Sequence, residues 1–256
     1  ERGGEHGGSR VAPVTYRDLA KDILHRAVVQ PTARDRQSKV GPSELGTSCD
    51  YCLGSALTRH YPHLRPQRDD LRSKSFSLKA WNGTAVHRLL EESLPQAVQD
   101  TVLEDGEVKV WLEPEIDIYD LRGYGVIEGH VDLVLLVYGR DGSLVYAAVI
   151  DHKTTDMSKL KVYKAEAVPD PYVFQANLYA YGVAKLLGRP PDDVGLHFIP
   201  RDSNRPEDIW ACFAPYQPEV AELALDRLET VWSRVQAGEL ESLDVSPECF
   251  NCNRWF

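Results

Sequence analysis

The chain has 256 residues, 43% of them hydrophobic and 27% charged. That is enough for one large domain with a real core, and it excludes a disulfide-stapled miniprotein, a collagen-like chain and a wholly disordered one. The formal net charge of -10 argues against a general nucleic-acid coat, yet residues 1–80 hold 14 Lys/Arg against 9 Asp/Glu while the rest hold 15 against 30, so local basic surface remains.

No run approaches the roughly 18–20 apolar residues of a membrane-spanning helix, and no positive-then-apolar leader opens the chain. The expectation is a soluble, cytoplasmic protein. Residues 1–13 are polar and Gly-rich and are expected to be a disordered leader or tag remnant, leaving 14–256 as a single domain. Thr15 and Asp18 open a helix in capping-box fashion. Residues 30–48 are loop-like, with Pro31, Gly41, Pro42 and Gly46, and a helix is predicted over 53–61, followed by a basic stretch from Arg65 to Lys79. Arg59, Arg65, Arg68, Arg72, Lys74 and Lys79 offer a positive track for a nucleic-acid strand.

Asn82-Gly83-Thr84 opens a predicted helix to about Leu94, on which His87, Leu90, Glu91 and Leu94 share one face. Strands are predicted over 107–112 and 115–119, split by Pro114. Asp170 caps a helix that begins at Pro171 and stops at Gly188, and a last helix covers about 218–237. The order helix, helix, strands, helix, strand, helix gives an α/β fold around a mixed sheet.

The segment 129–138, the turn Gly139-Arg140-Asp141-Gly142 and residues 143–153 form a hairpin signal. A two-residue turn pairs residues whose numbers sum to 283 and sets Asp132 opposite Asp151; a four-residue turn shifts the register by two without changing faces. Either way Asp132, Asp151 and Lys153 share a face, whereas a three-residue turn breaks the pattern. Two carboxylates in apolar strands lose hydration and repel, so a cation is expected between them, and Mg²⁺ or Mn²⁺ suits oxygen donors. A structural Asp–Lys ion pair at a sheet edge also fits these residues. Cys49/Cys52 and Cys249/Cys252 form two C-x-x-C pairs, a spacing suited to one tetrahedral centre, structural zinc or iron–sulfur. Cys212 is expected to be a buried apolar residue.

Gly129-His130-Val131-Asp132 and Ile150-Asp151-His152-Lys153-Thr154 resemble the G-x-x-D and D-x-K strands of the PD-(D/E)XK nuclease superfamily. Gly83 to His87 resembles the G-x-x-x-H helix of its RecB-like branch, and Gln175 to Tyr179 that branch's Q-x-x-x-Y motif. The resemblance spans about residues 42–256 and implies a restriction-endonuclease-like mixed central sheet flanked by helices. It implies that His87, Asp132, Asp151 and the backbone carbonyl of His152 bind Mg²⁺ or Mn²⁺, that Lys153 activates or positions the nucleophile, and that Gln175 and Tyr179 line the cleft. Its CRISPR-associated and recombination exonucleases carry a [4Fe-4S] cluster on four cysteines joining the N-terminal region to the C-terminus, with zinc as the alternative here because the cysteines split two and two. The implied substrate is DNA with single-stranded or frayed ends, cut in recombination, repair, phage DNA processing or CRISPR adaptation, with any helicase or recombination/adaptation partner on a separate chain. A metal-stapled nucleic-acid-binding or adaptor module without catalysis is the competing class.

Overall fold

The computed structural model describes residues 39–64, 78–99, 106–247 and 249. The expected leader, the Thr15 helix, Cys252 and the stretch holding Arg65, Arg68, Arg72 and Lys74 lie outside them, as does the side chain of Lys79. In chain order the elements are α1 (Pro42–Leu45), α2 (Asp50–Leu57), α3 (Leu78–Gln99), β1 (Gly106–Leu112), β2 (Glu115–Leu121), β3 (Gly125–His130), β4 (Leu133–Gly139), β5 (Leu144–Thr155), α4 (Met157–Ala165), α5 (Asp170–Leu187), β6 (Asp193–Pro200), β7 (Trp210–Pro215) and α6 (Pro218–Gln236).

Five strands form a mixed sheet in the order β1-β4-β5-β6-β7, in which only β5 and β6 run parallel, while β2 and β3 pair separately. The parallel step follows from the crossover through α4 and α5, since a short turn cannot return a chain to a parallel neighbour. Alternation along the strands divides the core. Leu133, Leu135, Ala148 and Ile150 pack with Leu94 of α3, whereas Val134, Leu136, Ala147 and Val149 join the larger core containing Leu178 and Tyr179 of α5. The sheet therefore holds His87's helix on one face and Gln175's helix on the other.

The β4–β5 hairpin departs from both expected turns. Gly139 N–H donates to Ser143 O and Gly142 N–H to Gly139 O, each at 2.9 Å, leaving a three-residue loop with Gly142 at φ +77°. A left-handed residue there is what such a loop requires, and glycine adopts it freely. The odd loop is offset by a bulge: Tyr138 pairs with Leu144 but Val137 with Tyr146, so Val145 is the extra residue and its side chain turns out to solvent. Beyond the bulge, Leu133 pairs with Ile150, which is the register of numbers summing to 283.

Three helices differ in detail from expectation. Pro42–Leu45, expected as loop, makes one helical turn, closed by Gly41 N–H donating to Glu44 Oε2 at 3.2 Å. The helix expected over 53–61 starts at Asp50 and ends at Leu57, where Thr58 begins a tighter 3₁₀ turn and its hydroxyl donates to Ser55 O at 2.8 Å. Asn82-Gly83-Thr84 does not open α3 but lies inside it, and α3 continues through Pro95. A Cβ at Gly83 would stand 3.2 Å from Thr154 Oγ1, a tight contact where α3 crosses β5.

α1 is seated against α5 through Gly46, where a Cβ would meet the Pro171 carbonyl oxygen at 2.5 Å. Backbone cannot swing aside as a side chain can, so Gly46→Ala is expected to cost ~1–3 kcal/mol through overpacking. Thermal melting of the variant measures this, and an unchanged midpoint would mean that α1 does not press on α5.

Candidate active site and cysteine cluster

Asp132 lies one residue before β4, at a bend where the chain changes partners: Val131 N–H donates to Pro114 O and Leu133 enters the ladder with β5. Its Oδ2 accepts the backbone N–H of His152 at 2.7 Å, and its Oδ1 stands 3.1 Å from Nδ1 of His87 on α3. Burial alone would raise this carboxyl, but the His87 hydrogen bond and charge, with the His152 amide, outweigh it and hold Asp132 below the ordinary carboxylate range.

Asp151 is almost wholly buried on β5, at 2% exposure. Burial raises its carboxyl above the ordinary range; Lys153, with Nζ 2.7 Å from Oδ2, opposes that rise, and the negative charge of Asp132 adds to it. Asp132 is near enough for its charge to act on Asp151, but it lies outside the β4–β5 ladder and lines the α3 side with His87 and His152, whereas Asp151 meets Lys153. Lys153 Nζ also donates to Gln175 Oε1 at 2.7 Å, and Gln175 Nε2 donates to the Tyr179 hydroxyl at 3.3 Å. Gln175 and Tyr179, one turn apart on α5, therefore act on Lys153 in series. Gly129 makes room for this arrangement, because a Cβ there would crowd Pro42 at 3.0 Å and the Tyr179 ring at 3.1 Å.

The side chain of His152 points to the α3 face. It meets the rings of His87 at 5.9 Å and His197 at 5.0 Å, and its Nδ1 lies 3.0 Å from His197 Nδ1. Burial lowers His152 to about 4 and lowers His197 as well, which favours the uncharged ring in both, and the tautomer sets which Nδ1 donates across their contact. His152 Nε2 is buried without a hydrogen-bond partner among the described residues. It borders a small cavity lined by His87, Leu90, Glu91, Leu94 and Asp132, the helix face expected from sequence spacing.

By chemistry alone two carboxylates, one depressed and the other raised by burial, and an imidazole on Asp132 suit a hard divalent cation, although among the described residues only the cysteines bring three ligand atoms within 4.8 Å of one another. His197 and Tyr172, whose ring lies 5.1 Å from Lys153 Nζ, escaped the sequence reading. Tyr172 had a readable signal, three residues before Gln175 on the same helix face. His197 had none, since its approach to His152 arises from parallel pairing across a long crossover. Arg59, expected on a basic track, instead pairs with Glu44 at 2.5 Å.

Cys49 and Cys52, at the start of α2, meet Cys249 so that their sulfur atoms lie within 4.8 Å of one another, with Cys52 and Cys249 at 3.4 Å. The joint is braced around them: Tyr51 N–H donates to Asp244 O at 3.1 Å, and Arg227 of α6 holds Asp50 at 2.6 Å and also reaches the Thr47 carbonyl. Cys212, expected to be buried, is only half-buried on β7, and its thiol donates to the Leu196 carbonyl oxygen at 3.7 Å. No helix among the described residues is long and apolar enough to cross a membrane.

The sequence profile of the PD-(D/E)XK nuclease superfamily matches residues 24–255. The chain belongs to that superfamily. An alkaline exonuclease from Laribacter hongkongensis, LHK-Exo, is similar in structure at 11% identity, covering 82% of this chain and 93% of that one, with a TM-score of 0.52. The same enzyme in complex with dAMP gives 11%, 81%, 92% and 0.51. A putative exonuclease from Eubacterium rectale aligns at 14% identity over 89% of this chain and 94% of that one, with a TM-score of 0.49. At 11% identity the likeness to LHK-Exo bears on the fold alone. No curated protein sequence matches the chain.

Proposed function

We propose that this protein is a divalent-metal-dependent DNA exonuclease acting on single-stranded or frayed ends. The observation that carries this reading is the buried Asp151 carboxylate beside both Asp132 and Lys153, on the strands where the superfamily keeps its catalytic groups. Asp132, Asp151, His87 and the His152 carbonyl would hold Mg²⁺ or Mn²⁺, which when bound supplies charge neutralisation on a phosphate and acidifies a water. Lys153, steadied by Gln175 and ringed by Tyr172, orients the attacking water and holds its ammonium against the scissile phosphate oxygen. Tyr179 fixes the Gln175 amide so that its carbonyl oxygen, and not its NH₂, faces Lys153. The work in a cell would be recombination, repair, phage DNA processing or CRISPR adaptation, with unwinding left to another chain.

Three converging thiols support a second, structural metal. Cys49, Cys52 and Cys249 would hold a thiolate-bound centre, the [4Fe-4S] cluster that the resemblance implies or a structural zinc, with Cys252, which lies outside the described residues, as the remaining cysteine of the two C-x-x-C pairs.

The test is degradation of end-labelled single strands beside covalently closed circles, with Mg²⁺, Mn²⁺ or chelator. Loss of linear strands alone, and only with metal, is the expected result; cutting of circles would replace the exonuclease reading by an endonuclease one. His87→Ala should lower activity at limiting Mg²⁺ and recover in part at raised Mn²⁺, because His87 supplies metal affinity. Unchanged metal dependence would leave His87 as a partner of Asp132 alone.

A further inference from the structure

Cross-strand register sets out a row of side chains leading away from Lys153. Lys153 pairs with Phe198 on β6, and Phe198 with Trp210 on the edge strand β7. Partners across a sheet share a face, and strands ~4.8 Å apart put Trp210 about 10 Å from the Lys153 position. Ring contacts continue the row on the helix side. Lys153 Nζ lies 5.1 Å from the centre of Tyr172, Tyr172 meets Tyr163 edge-on at 6.3 Å, Tyr163 meets Phe198 at 5.5 Å, and Phe198 stacks on Trp210 at 5.5 Å and 17°. Phe198 is fully buried, but Tyr163, Tyr172 and Trp210 each keep part of their surface in solvent.

The helix over this row is basic. α4 carries Lys159, Lys161 and Lys164, all exposed, and no acidic residue between Met157 and Ala165. Asp156 before it is already paired with Arg201 at 2.9 Å. Lys164 Nζ sits 5.7 Å over the Trp210 ring. In a chain of net charge -10, three lysines on a nine-residue helix, beginning two residues after the strand of Asp151 and Lys153, reverse the local sign.

We propose that α4 and the Tyr172–Tyr163–Trp210 row form the binding track for an unpaired DNA strand whose end lies at Lys153. This rests on the nuclease reading of the same site. Unpaired bases stack on aromatic faces whatever their sequence, and lysines beside them meet the phosphates. Bases inside a duplex are already stacked and present no face to the rings, so the track selects single strands.

Fluorescence anisotropy of a labelled oligothymidylate in chelator, titrated over a salt series, tests the track. The Lys159→Gln/Lys161→Gln/Lys164→Gln variant changes only exposed side chains; its affinity should fall at least tenfold and its salt slope by about 2, at roughly 0.7 per phosphate contact on a single strand. Trp210→Ala should weaken binding roughly tenfold, and Trp210→Phe, which retains the stack on Phe198, should restore most of it. Wild-type affinity and slope in the lysine variant overturn the proposal, as does an equal loss on a blunt duplex, which would mark general charge attraction. Hydrolysis of thymidine 5′-p-nitrophenyl phosphate by the wild type, a substrate too small to span the row, tests the nuclease reading separately. Its failure there, with the strand-binding losses intact, would sink the catalysis and leave the track.

Discussion

Asp151→Asn protein should cleave DNA on the order of 10³-fold more slowly than wild type, the scale of losing the electrostatic stabilisation that the metal it would ligate supplies, and yet melt no lower in chelator. The second half follows from burial. Asp151 loses hydration and faces Asp132's charge, with Lys153 offsetting only part of that cost, so a neutral amide of the same shape removes a strain. The same balance fixes a pH dependence. Because the folded carboxyl takes up its proton at a higher pH than it does in the unfolded chain, apo stability from Asp151 is greatest below the ordinary carboxylate range. It is lost as pH rises through the raised folded value. The difference in melting temperature between wild type and Asp151→Asn should therefore grow with pH across that window. Lys153→Ala should separate from it by keeping the stabilisation that Mn²⁺ gives the wild type while losing turnover, since mass action needs only the ligands. An Asp151→Asn enzyme that still cuts, or melts far below wild type without metal, would reduce the pair to a structural ion bridge.

The other large effect is expected at the cysteines. Purified protein should contain a metal held by the cysteines, its absorption spectrum and metal content deciding zinc from iron–sulfur, and Cys249→Ser should be metal-free and melt roughly 10 °C lower or more, given 2–4 °C per kcal/mol at this size and the several kcal/mol a structural site contributes. The loss should localise to α2 and the segment after α6, which the centre joins, and hydrogen exchange would show it there. A brown protein with iron and labile sulfide would assign the cluster that the resemblance implies, and a colourless one with a single zinc the alternative. Protein free of both metals and unchanged by Cys249→Ser would remove the centre altogether.

What the sequence disclosed depended on how local the signal was. The face shared by His87, Leu90, Glu91 and Leu94 and the pairing of Gln175 with Tyr179 rest on helical spacing alone, and both recur as real neighbours. The hairpin register was legible in its outcome and not in its cause. The expected even turn is absent, and the odd loop plus the Val145 bulge restores the same pairing, a cancellation that no turn propensity encodes. Gly83 was misread as a helix opening because a glycine next to Asn and Thr looks like a cap, when it lies inside α3 where β5 comes close. The histidine pair across β5 and β6, and the row from Lys153 to Trp210, were invisible because parallel pairing joins segments that the chain separates by two helices.

The cysteine joint also sets a clock. Cys52 and Cys249 are 197 positions apart, so at ~5–20 residues per second the second thiol leaves the ribosome on the order of 10–40 s after the first. By then every candidate catalytic group, from His87 to Tyr179, has been synthesised. Where folding waits on this joint, the nuclease stays unassembled through that interval and becomes competent only when the segment carrying Cys249 closes on α2.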